Sequence, residues 1–109
     1  MEFTIDGINT FPRGIIVAFE QASHIFRQNG LFTKILNRDS QDYIQLVIGT
    51  QMIHDSNANI DIITENILSI TQKCNDLWFV YSHDDEKFIY ESTDFDIVIQ
   101  FVLEFYSKN

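Results

Sequence analysis

Four short runs of β-branched and aromatic residues, set in two pairs around polar turns, constrain this chain more than any other feature. Leu31–Leu36 and Tyr43–Ile48 flank Asn37-Arg38-Asp39-Ser40-Gln41, and Leu77–Ser82 and Lys87–Glu91 flank His83-Asp84-Asp85-Glu86. Such runs, separated by Asn, Asp and Ser, read as β-hairpins, and hairpins impose antiparallel pairing. A short alternating segment, Glu2–Asp6, closes on the turn dipeptide Asp6-Gly7 and adds a first strand.

Between these runs the apolar period changes. Pro12 suits the first turn of a helix, where its missing N–H costs nothing. Ile15, Ile16, Phe19, Ala22, Ser23 and Phe26 follow at helical spacing, and Asn29-Gly30 supplies a stop, so a first helix is expected over 12–29. Asp55-Ser56-Asn57 offers N-caps to a stripe of Ile60, Ile63, Ile67, Ile70 and Cys74, which predicts a second helix over 57–74. Thr93 and Asp96 resemble a capping box that opens a third helix over Phe95–Tyr106, although Ile97, Val98, Ile99 and Val102 would also suit a buried strand.

The expected fold is therefore α+β in the order βαββαββα. Two hairpins and a short N-terminal strand form an antiparallel sheet, with three helices packed on it. Asn29 and Asn75 each precede a Leu-aromatic pair (Leu31-Phe32, Leu77-Trp78), 46 positions apart, which suggests a duplicated helix–hairpin unit. With 109 residues, one proline, four glycines and no low-complexity stretch, a single domain over 1–109 is expected.

Charge is distributed unevenly. Residues 1–54 hold five acids against four bases, whereas residues 55–96 hold ten acids against Lys73 and Lys87. That second segment supplies eight of the nine excess negative charges. Such a balance repels nucleic acid and anionic membranes and attracts basic protein surfaces, while also keeping a chain with ten phenylalanines soluble. Cys74 is the only cysteine, so no internal disulfide forms. Neither a basic leader nor a long apolar run is visible, and a cytoplasmic location is expected.

Chemistry is hard to find. His24, His54 and His83 show no metal-ligand spacing. The His54-Asp55 and His83-Asp84-Asp85 neighbours read first as solvated turns and only then as proton-transfer pairs. Cys74, continuing an apolar stripe near a helix end, reads as a buried, inert thiol. The acidic run Asp84-Asp85-Glu86 lacks the residues of a calcium loop, and no glycine-rich phosphate cradle or nucleophile elbow is present. The expectation is a protein without catalytic residues, metal or cofactor.

What remains is the acidic tip Asp84-Asp85-Glu86 with Glu91, Asp94 and Asp96, and the aromatics Trp78, Tyr81 and Tyr90 among them. In size, charge and lack of catalytic motifs the chain resembles the small acidic immunity proteins that bacteria make against toxins, including those of contact-dependent inhibition systems. That resemblance implies a basic toxin or nuclease domain as partner, with the carboxylates lying where phosphates would bind and the aromatics anchoring the contact. The alternative is a homodimeric structural or regulatory domain. It is suggested by the third helix, whose apolar residues run around most of its circumference. A small enzyme using His54 or His83 ranks last.

Overall fold

The computed structural model describes residues 4–38, 43–73 and 77–108. Its elements run α1 (Thr4–Gln28), β1 (Phe32–Arg38), β2 (Tyr43–Gly49), β3 (Gln51–Asp55), β4 (Ile60–Thr64), β5 (Leu68–Lys73), β6 (Leu77–Ser82), β7 (Lys87–Ser92) and α2 (Phe95–Ser107). The architecture is α+β with antiparallel sheets, as expected, but the described residues form two helices, and their order begins with a helix. Both expected hairpins form, β1–β2 and β6–β7. They belong to one five-stranded sheet, ordered β1-β2-β5-β6-β7, with β5 joining them.

β5 lies where the second helix was expected. The stripe Ile60, Ile63, Ile67, Ile70 has helical spacing, but it leaves out Ile62 and Leu68, which restore period two within two separate strands. Residues 57–73 instead hold the tip of a β3–β4 arm with all of β4, a turn and β5. Asp55 does not cap a helix; its carboxylate accepts from the backbone N–H groups of Asn57 and Ala58, closing a turn. Glu65 and Asn66 then reverse the chain in the left-handed region, at φ 60 and 53. No glycine or proline marks that reversal in the sequence. Because β5 replaces a helix, Asn29 and Asn75 do not close equivalent helices, and the duplicated unit is absent from the fold; Asn75 and Cys74 lie outside the described residues.

The N-terminal strand over Glu2–Asp6 is also replaced. Thr4–Asp6 are helical, and α1 runs through Pro12 to Gln28. The helix continues through the proline, which removes one hydrogen bond from a helix without having to end it. The third expected helix, now α2, forms nearly as drawn. Its cap is Asp94, one residue later than the Thr93 expected, with the Asp94 carboxylate accepting from the Asp96 backbone N–H at 2.9 Å.

Both helices pack on one face of the large sheet. Phe19, Phe26, Val98 and Val102 meet Leu46, Ile48, Leu68, Ile70 and Val80, all fully buried. Burying side chains of this size stabilises by about 1.5–3 kcal/mol each. Gly49 lets β2 turn into the arm: a Cβ there would collide with the Ile63 side chain and crowd the Thr64 and Glu65 carbonyls. The arm therefore leans on the β1–β2 corner, with Ile63 buried.

The base of the arm is tied to α2 by Tyr106, whose hydroxyl lies 2.5 Å from the Asn66 carbonyl and 3.1 Å from that of Ile48. Burial, with a contribution from the charge of Asp84, pushes the Tyr106 hydroxyl well above its ordinary value, opposed by a backbone contact from Leu68. A raised folded-state value favours the protonated phenol, so its contribution is complete below about pH 10 and is lost as pH rises beyond that. Tyr106→Phe should cost about 1–3 kcal/mol at neutral pH in urea unfolding, because it leaves carbonyls unpaired. It should also flatten the alkaline decline in stability; an unchanged decline would place its origin in another group.

Candidate protein-interaction surface

In β6 both faces are rich in apolar side chains. Trp78, Val80 and Ser82 point to the helices and are buried, while Leu77, Phe79 and Tyr81 point to the opposite face. On β7 the pairing shifts between Val80 and Tyr81: Val80 opposes Tyr90, but Tyr81 opposes Phe88, leaving Ile89 as an extra residue. This bulge changes the parity of the strand. Tyr90 stays on the helix side, and Phe88 is delivered to the open face.

The result is an aromatic cluster on the open face. Phe88 packs edge-on to Phe79 and Tyr81, with ring centroids 5.6 and 5.1 Å away, and Tyr81 meets His83 edge-on at 5.2 Å. Phe88 is 52% exposed. Neither helix covers this part of the sheet, since both lie on the other side. Beneath Tyr81, the Ser69 hydroxyl and His83 Nε2 are hydrogen-bonded at 2.6 Å, and Ser69 is only 3% exposed. That bond holds the His83 ring against the cluster. The serine is too enclosed to meet a substrate, so the pair serves as support.

The acids proposed from sequence divide into three groups. Asp84, Asp85 and Glu86 form the exposed β6–β7 turn beside the aromatic cluster, anchored by Ser82, whose hydroxyl accepts from the Asp85 backbone N–H and donates to its carboxylate. Glu91 is exposed and opposes Phe79 across the strands, on the same open face. Asp94 and Asp96 sit at the N-terminus of α2, beyond the far end of β7, separated from the turn by roughly 17–20 Å of strand. There Asp94 caps the helix by accepting from the Asp96 N–H, and both carboxylates complement the positive end of its dipole, which gives them a structural role.

The aromatics divide as well. Tyr81 lies in the open-face cluster. Trp78 is 8% exposed and packed against Phe19 and Phe95, with centroids 5.8 and 4.3 Å away, so it belongs to the core. Tyr90 is half-buried and stacked on Phe101 at 4.2 Å with planes 5° apart. A Trp or Tyr beside acids in sequence need not share their surface, because neighbours in a strand face opposite ways. Sequence reasoning missed Phe79 and Phe88. The signal for Phe79 was the apolar alternation on both faces of Leu77–Ser82; the bulge that exposes Phe88 left no such mark.

The other candidates for chemistry disperse. His24 is exposed and hydrogen-bonded to Gln28. His54 pairs across the arm with Asp61 at 2.9 Å, rather than with the adjacent Asp55, and both side chains are more than half exposed. Among the described residues no group of three or more His, Cys, Asp or Glu is placed to hold a metal ion. No described helix is long and apolar enough to cross a membrane.

Glu86 carries φ 55, in the region that glycine and asparagine favour. Glu86→Gly should therefore raise stability by up to about 1 kcal/mol, read as a higher urea midpoint. A lower midpoint would mean that the glutamate side chain stabilises the turn by more than its backbone strain costs. No family model, curated protein or solved structure matches the chain.

Proposed function

We propose that this protein is a protein-binding module that neutralises a basic partner, most concretely an immunity protein or inhibitor of a toxin or nuclease. The observation that carries the reading is the aromatic cluster of Phe79, Tyr81 and Phe88 on the sheet face that neither helix covers, bordered by Asp84, Asp85, Glu86 and Glu91. Interfaces commonly place aromatic anchors at a centre that is dried on binding and charges at its rim. Here the rim is of one sign, which suits a cationic cleft and speeds encounter with it. Relative to the sequence reading, the surface gains Phe79 and Phe88. Trp78 and Tyr90 drop out because they face the helices, and Asp94 and Asp96 because they belong to the N-terminus of α2.

The experiment is affinity isolation from lysate of the source cells at low and high salt, with captured proteins identified by mass spectrometry. The expected result is one basic protein at equal stoichiometry, lost in high salt and with Asp84/Asp85/Glu86→Ala. That protein's activity should be inhibited in purified form. A purified, concentration-dependent dimer that buries Phe88 would instead assign the aromatic face to a second copy and support the homodimer reading.

A further inference from the structure

A second feature lies at the other side of the sheet. Arg27, in the last turn of α1, donates from Nε to the Thr33 hydroxyl at 3.0 Å and from Nη2 to the Thr33 carbonyl at 3.3 Å. Lys34 donates from Nζ to the Asp61 carbonyl on the arm at 2.9 Å. Both cations line a groove of about 310 Å³, together with Thr33, Ile35, Met52, Ile60 and Asp61, whose carboxylate is paired with His54. Arg27, Met52 and Asp61 continue into an adjoining hollow of about 500 Å³ that reaches Phe32, itself 40% exposed. Among the described residues the one ion pair is His54–Asp61, and no described carboxylate pairs with Arg27 or Lys34.

The groove also borders an unfinished sheet edge. Among the described residues β1 pairs with β2 alone, so alternate residues of β1 direct N–H and C=O groups away from the sheet. Arg27 occupies the Thr33 carbonyl, and beyond that point no described strand continues the ladder. Free strand edges are usually shielded or used.

We propose that this groove binds an extended peptide carrying a carboxylate. The peptide adds to the outer edge of β1 through main-chain hydrogen bonds, and its acidic side chain sits between Arg27 and Lys34. Phe32 and Met52 supply apolar contact for alternate side chains. A single carboxylate suits the site better than a polyacidic run, because the chain as a whole carries −9 and repels a highly charged anion at long range. The site is separate from the acidic β6–β7 surface, and neither reading depends on the other.

The probe is a fluorescently labelled peptide of threonines and valines with one central glutamate, titrated into the full chain by anisotropy, with amide NMR shifts mapping its position. Its companions carry glutamine or lysine in place of the glutamate, or a proline beside it. The glutamate peptide should bind about fivefold more tightly than the glutamine one, as expected for one exposed ion pair. The lysine peptide should be weakest, and the proline peptide should lose the ladder. Lys34→Glu should reverse the order of glutamate and lysine, and Lys34→Gln should abolish the preference. Amide shifts should centre on Thr33–Ile35, Met52 and Asp61. Equal affinity for the charged peptides, unaltered binding by the proline peptide, shifts centred on Tyr81 and Phe88, or no saturable binding would each overturn the proposal. Concentration-dependent shifts along β1 without peptide would overturn it too, by giving the edge to a second copy.

Discussion

Truncating Phe88 to alanine should weaken the complex with the basic partner by about 2 kcal/mol or more, roughly thirtyfold in Kd, while the protein stays folded. Phe88 stands at the centre of the open-face cluster and is half exposed in the free chain, so the side chain has most to gain from a partner's surface. Its loss from the free protein removes edge-on contacts with Phe79 and Tyr81, worth about 0.5–1.5 kcal/mol each, and creates no core cavity. The acidic turn should respond differently. Neutralising Asp84, Asp85 and Glu86 should act mainly on the association rate and its salt dependence, whereas Phe88→Ala should act on dissociation. Stopped-flow association and dissociation kinetics with the captured partner separate the two. Wild-type dissociation by Phe88→Ala would remove the aromatic cluster from the interface.

Phe19→Ala should be the most damaging single truncation, lowering stability by about 3–5 kcal/mol. Phe19 is fully buried, with Trp78 and Phe95 around it at centroid distances of 5.8 and 6.0 Å, and it joins α1 to both the sheet and α2. Little around it can collapse into the space, because each neighbouring ring is held by its own element. A domain of this size has a total stability of about 5–15 kcal/mol, so much of the margin would go. Urea unfolding followed by Trp78 fluorescence measures the effect, and a loss below about 1 kcal/mol would mean that α1 is not packed as described.

The parts of the fold that were legible in the sequence are those in which one period dominates. The two hairpins and α2 fall where alternation, turn residues and a stripe agree. Residues 57–74 misled because isoleucines at Ile60, Ile63, Ile67 and Ile70 satisfy a helical period and, taken with Ile62 and Leu68, a strand period as well. What decided between them was the reversal at Glu65 and Asn66, whose left-handed backbone suits the asparagine but is not announced by the glutamate. The acidic turn was legible because loops between hairpin strands are exposed almost of necessity. The aromatic part was legible only for Tyr81. Trp78 and Tyr90 point to the helices, and Phe88 points outward through a one-residue irregularity that depends on pairing across strands.

That irregularity makes the outer face of β7 a matter of phase rather than of composition. Val80 opposes Tyr90 before Ile89, and Tyr81 opposes Phe88 after it, so the same six-residue strand is read in two frames. Removing Phe88 would bring Ile89 opposite Tyr81 and onto the open face in its place, whereas removing Ile89 would leave both pairings as they are. A surface encoded in this way changes its outward side chain with a single deletion at one position and not at the next. Recognition on this face could therefore diverge in steps between related chains, each new frame presenting a different set of contacts over the same buried core.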